Sequence, residues 1–219
     1  MQDPAFRADQ RNQIDAPHVE PINRLVDELA SQGLGWVPRV APVHGGVDAQ
    51  VLLVLRDPGP AVADPDLEGT GFLCAENNDP TAEHVCELLD RAGIDVNLTL
   101  PWNAYPWYVN RPSSVAELRT GVEPLRRLLG LLPRLQVVLL LGTHAQLSWN
   151  LLLQAHPGAG SDLRVLSSRH PGDRRSSAPP GSVRSGGRTR RSSSRRRLAC
   201  CTTESGPTGQ RHLILNGPS

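Results

Sequence analysis

Four short sequences hold the residue types that could do chemistry: Arg56-Asp57-Pro58-Gly59, Gly69-Thr70-Gly71-Phe72, Trp102-Asn103-Ala104-Tyr105 and Arg169-His170-Pro171. A carboxylate can orient water, an aromatic ring offers a stacking face, and a carboxamide is both donor and acceptor. A histidine can donate a hydrogen bond to developing negative charge. Singly, each has a plainer explanation. Asp-Pro-Gly is a common turn, a lone histidine more often supports structure, an asparagine before a loop is often a cap, and Phe72 fits ordinary core. Their order raises their interest: acid, amide and histidine each follow an apolar segment that reads as a strand.

Periodicity predicts the elements that place them. Val51–Leu55 and 136–141 are short, continuously apolar runs bounded by turn signals, as in strands buried on both faces. Residues 98–100 and 163–166 are two further strand candidates. Helical spacing of apolar residues predicts helices over 17–32, from Asp79-Pro80 to Gly93, and over 144–155 with Thr143 as cap. Ser114 and Glu117 form a capping box, and Gly121 with Pro124 are expected to break the helical stretch that follows before 125–132 continue it. Strand and helix alternate throughout. That pattern predicts an α/β fold, a single three-layer domain with a mainly parallel central sheet of about four strands flanked by helices. In such sheets ligands bind beyond the carboxyl ends of the strands, where the acid, the amide and the histidine fall.

Charge divides the chain. From Pro171 onward ten arginines face only Asp173 and Glu204, which gives that segment +8; the whole chain is +1, so the first 170 residues carry −7. A body of that sign needs a local basic strip to hold nucleic acid. The N-terminus has no apolar leader, no apolar run approaches a membrane span, and the spacing of Cys74, Cys86, Cys200 and Cys201 fits neither a zinc site nor a disulfide framework. These features predict a cytoplasmic protein without a membrane partner.

The ordered residues resemble the uracil-DNA glycosylase superfamily over roughly residues 37–170. Arg56-Asp57-Pro58-Gly59 is similar to the family's first motif, which ends the first strand and holds the water-activating residue. Pro101-Trp102-Asn103-Ala104-Tyr105-Pro106-Trp107 and the segment from Gly71 to Ala82 are similar to an actinobacterial branch labelled uracil-DNA glycosylase-like. The resemblance implies hydrolysis of the N-glycosidic bond of uracil or a related damaged base in DNA. It implies Asp57 and His170 as catalytic residues, the histidine stabilising the leaving base. It implies Phe72 as the ring that stacks on the flipped base, Asn103 as the amide that reads the base edge, and Gly59 beside the base. Bond breaking leaves positive charge on the sugar, which a carboxylate stabilises, and extrusion of the base costs a few kcal/mol that stacking partly offsets. A monomer acting on damaged DNA without a cofactor is expected, since the iron–sulfur cysteines of some branches have no counterpart.

Three departures stand out. Leu55 occupies a usual glycine position, Gly59 replaces the tyrosine that crowds out a 5-methyl group in uracil-specific members, and Gly172-Asp173-Arg174-Arg175 replaces the serine and apolar wedge after the histidine. The last departure favours an alternative, a catalytically degenerate member that binds nucleic acid or a nucleobase without cleavage. An unrelated α/β hydrolase or nucleotide-binding protein ranks below, because no G-x-S-x-G, G-x-G-x-x-G or Walker sequence is present. The domain is expected to span 1–170. Residues 171–219, rich in Arg, Ser, Gly and Pro, read as a disordered tail with the composition of a GC-rich gene read out of frame. The other reading of that tail is a genuine basic segment that binds phosphates by itself.

Overall fold

The computed structural model describes residues 1, 3–62, 69–109 and 111–171. The segment 172–219, on which the expectations about the tail fall, lies outside the described residues.

In chain order the elements are α1 (Pro4–Asn12), α2 (Glu20–Ala30), β1 (Arg39–Val40), β2 (Val51–Leu55), β3 (Phe72–Leu73), α3 (Pro80–Ala92), β4 (Thr99–Asn103), α4 (Val115–Thr120), α5 (Val122–Gly130), β5 (Val137–Leu141), α6 (Thr143–Ala155) and β6 (Arg164–Ser168). Four strands form one parallel sheet in the order β4-β2-β5-β6. The chain passes from β2 to β4 on one side, then returns to β5 and β6 on the other. The direction of winding therefore reverses between β2 and β5, and a crevice opens beyond the carboxyl ends of the strands.

Both faces of the sheet are covered over β4, β2 and β5, as the apolar runs require, while all five residues of edge strand β6 are exposed. Leu52 and Val54 register with Leu100 and Trp102 of β4 and with Val138 and Leu140 of β5. All six are buried in one cluster with Ile22, Leu25, Val26 and Leu29 of α2, Leu125 and Leu128 of α5, and Trp149 and Leu152 of α6. On the opposite face Leu53 and Leu141 pack against Val85 and Leu89 of α3. Fully burying such an aliphatic side chain contributes about 1.5–3 kcal/mol. Trp107 donates from Nε1 to the Leu29 carbonyl at 3.0 Å, which ties the segment after β4 to α2.

The predicted α/β fold with its parallel four-strand sheet is present, with local differences. The sequence reading omits α1, whose mean hydropathy is too low to mark a buried face, and the pair β1–β3, too short to carry a period. Gly121 alone separates α4 from α5; Pro124 sits in the first turn of α5, where a missing N–H costs nothing. The cap of α6 is Gly142, so Thr143 is helical and its side chain makes no cap bond. Helix α3 follows its signals, with the Asp79 carboxylate accepting from Thr81 and Ala82 and left-handed Gly93 at its end.

A candidate active site at the carboxyl edge of the sheet

Asp57 lies two residues beyond β2. The ladder to β4 continues past the strand, with Ala104 N–H donating to the Leu55 carbonyl at 2.8 Å and Tyr105 N–H to the Arg56 carbonyl at 3.0 Å. This fixes the backbone that carries Asp57. Its side chain is only 2% exposed. Arg56 Nε donates to Oδ1 at 2.5 Å and Arg56 Nη2 reaches Oδ2 at 3.4 Å, while the Ser113 N–H and hydroxyl both reach Oδ1 at 3.4 Å. An unpaired carboxylate buried this deeply would cost several kcal/mol, and the adjacent guanidinium offsets that cost.

Asn103 ends β4 and is 3% exposed, yet among the described residues its Oδ1 has no hydrogen-bond partner. Leaving a buried acceptor unmade costs about 1–3 kcal/mol, and nearly all such groups in folded proteins are satisfied. Asn103, Asp57, Gly59 and His170 line one cavity of about 310 Å³, whose other walls include Leu53, Leu55, Val62, Leu73 and Pro101. A mostly apolar cleft with a few convergent polar groups is the usual form of a small-ligand site. Gly59 is exposed at its mouth, and a Cβ there would meet nothing within 4 Å.

His170 follows β6 and packs against Gly142, the residue between β5 and α6. His170 and Arg56 also border a second, wider cavity of about 640 Å³, lined in addition by Thr143, His144, Gln146, Ser167, Ser168 and Arg169. Two arginines and two histidines gather there around the start of α6, and no acidic residue stands in its first turn. A helix start among cations favours anions. Arg169 and the start of α6 leave this cavity locally positive, while Arg56 is already paired with Asp57.

Phe72 lies elsewhere. It forms β3 and is buried with Met1, Ala41 and Cys74, against Phe6, Ile14 and Val43, and it is not among the residues lining the 310 Å³ cavity. The expected cleft thus holds the acid, the amide, the glycine and the histidine, without the ring. What places Phe72 in the second cluster is the N-terminal segment around α1, whose Asp3-Pro4 start matches that of α3 but whose apolar residues are too few to mark a buried face.

Two residues absent from the sequence reading shape the wall of the site. His44 is fully buried; its Nε2 accepts from Ala75 N–H at 3.2 Å, so Nδ1 carries the proton and donates to Thr99 Oγ1 at 3.0 Å. Burial pushes its pKa down to about 4. Asn77 donates to the Phe72 carbonyl at 2.8 Å and accepts from the Thr70 hydroxyl at 3.0 Å, closing the turn that follows β3. Both residues line the cavity. The one available signal was a histidine set in a Val-Pro-Gly loop, which by itself indicates nothing about its partners.

Compared with known proteins, the chain matches no family model and no curated protein. Among the described residues no helix is long and apolar enough to cross a membrane.

Proposed function

We propose that this chain is a DNA glycosylase of the uracil-DNA glycosylase type, a monomer that hydrolyses the N-glycosidic bond of uracil or a related damaged base in DNA. One observation carries the proposal: the unpaired, buried carbonyl oxygen of Asn103 shares a cavity with the buried Asp57 carboxylate and His170. An acceptor without a donor calls for a ligand that brings one, and the ring N–H of a uracil edge is such a donor. Asp57 holds a water against the sugar carbon. The water oxygen bonds to that carbon as the electron pair of the C–N bond leaves with the base, and the water's proton passes to solvent or base. His170 donates to the departing anion. Arg56, His144 and Arg169 hold backbone phosphates across the wider cavity, so binding weakens steeply with salt.

A second reading, binding without cleavage, is favoured by the position of Phe72, which leaves no stacking ring from that residue in the cleft. The two readings separate in one assay with oligonucleotides carrying uracil, hypoxanthine or a mismatch, scored by alkaline cleavage at abasic sites. Base release that falls by a factor of about 10² or more in Asp57→Asn, with DNA affinity held within a few-fold, supports the glycosylase. Tight binding of the damaged strand without release supports the second reading. A chain that neither binds nor cleaves any of the three refutes both.

A further inference from the structure

We propose that Ser113 is a positioning residue that decides which oxygen of Asp57 faces the cavity. The inference rests on reading Asp57 as the water-orienting acid. Ser113 is 5% exposed and lies between β4 and α4, far from Asp57 in the chain. Its N–H and its hydroxyl both reach Oδ1 at 3.4 Å, where Arg56 Nε already donates at 2.5 Å. Among the described residues Oδ2 receives a single donor, Arg56 Nη2, also at 3.4 Å. Three donors therefore occupy one oxygen and leave the lone pairs of the other for water.

The serine is itself held from the surface. Ser114 caps α4, with Glu117 N–H donating to its hydroxyl at 3.3 Å and its own N–H donating to the Glu117 carboxylate at 2.7 Å. Arg111 grips the same carboxylate through two bonds, of 2.8 Å and 2.6 Å. The Arg111 and Ser114 donors hold the Glu117 pKa down to about 2, so this clamp stays charged across the working pH range. Arg111 and Glu117 thus fix the loop on both sides of Ser113, and Ser113 fixes the carboxylate.

The test uses the full chain with Ser113→Ala, which removes the hydroxyl and keeps the N–H, and Ser113→Thr, which keeps both. Ser113→Ala should slow single-turnover base release about tenfold, the usual scale for one hydrogen bond, with KM and Tm unchanged. Ser113→Thr should return the rate to within about twofold of the parent. Crystal structures of the parent and of Ser113→Ala should show one carboxylate orientation becoming two. A parent that cleaves, with Ser113→Ala equally fast, overturns the inference and leaves the glycosylase standing. So does a loss that appears in KM and Tm and is not restored by threonine. A parent that releases no base removes the glycosylase reading. The crystal structures then judge Ser113 alone, and an unchanged Asp57 orientation in Ser113→Ala overturns its role.

Discussion

Gly142 and His170 meet with no room for a side chain between them. A Cβ on Gly142 would stand 3.0 Å from the His170 Cβ and 3.4 Å from its Cδ2, and Gly142 has a φ of +97°. Its N–H also donates to the Ser168 carbonyl at 3.0 Å, which joins the turn after β5 to the end of β6. The histidine is thus placed by the backbone of a neighbouring strand. Gly142→Ala should cost about 1–3 kcal/mol in urea unfolding, because its φ of 97° and ψ of 171° lie in a region that only glycine adopts readily. Base release should fall at least about tenfold, because the imidazole must move. Unchanged release at reduced stability would show that His170 needs no such support.

Asn103 should behave unlike an ordinary buried amide. Among the described residues its Oδ1 has no partner, so removing it sacrifices no carbonyl interaction there. Asn103→Ala should therefore change stability by less than about 1 kcal/mol, yet weaken binding of a uracil-containing strand at least about tenfold. Parallel thermal melts and titrations decide the matter. A large loss of stability with unaltered binding would assign Asn103 to the framework.

Phe72→Ala should affect the fold and leave the ligand alone. The ring is 5% exposed in a cluster with Met1, Phe6 and Ile14. Truncating a buried phenylalanine typically costs about 3–5 kcal/mol, and here the loss should loosen α1, visible as faster proteolysis near the N-terminus. Affinity for the damaged strand, measured below the lowered Tm, should stay within about twofold. Selective loss of affinity would return Phe72 to the stacking role.

His44 gives stability a pH dependence of predictable sign. Its pKa is held at about 4 in the folded chain and is 6.5 without burial. Between those values the unfolded state binds more protons, so acid favours unfolding. Stability is therefore full above about pH 6.5 and declines as the pH falls towards 4, by about 2 kcal/mol between pH 7.5 and 5. His44→Gln should flatten that slope in urea titrations at the two pH values. A slope that persists in the variant would place its source elsewhere.

The layers of the fold were legible because each strand is a short apolar run with its own turn signals. Val51–Leu55 matched the structure residue for residue, and β5 lies inside the sheet, between β2 and β6. Boundaries shifted where the signal was mixed: Pro101 hid that β4 continues to Asn103, and the serines at 167 and 168 hid the end of β6. Asp57, Asn103 and His170 could be brought to one edge on paper, since strand ends fix position along the sheet. Side-chain partners could not. The Ser113 contact joins residues 56 apart, with β3, α3 and β4 between them, and the fate of Phe72 depends on an N-terminal helix of low mean hydropathy.

The place of β2 in the sheet also sets the order of events during biosynthesis. It pairs with β4 and β5, both made after it, and β6 joins only through β5. A nascent chain therefore holds an apolar strand open on both edges until β4 is made, and open on one edge for more than 80 residues, counting from Leu55 to Val137. Pairings this distant in sequence form slowly and expose the unpaired edges meanwhile. The cleft is complete only when His170 has been added, so a growing chain carries its acid early and its full site last. Synthesis rate and chaperone access, as much as final stability, then govern how much of this protein reaches the folded state.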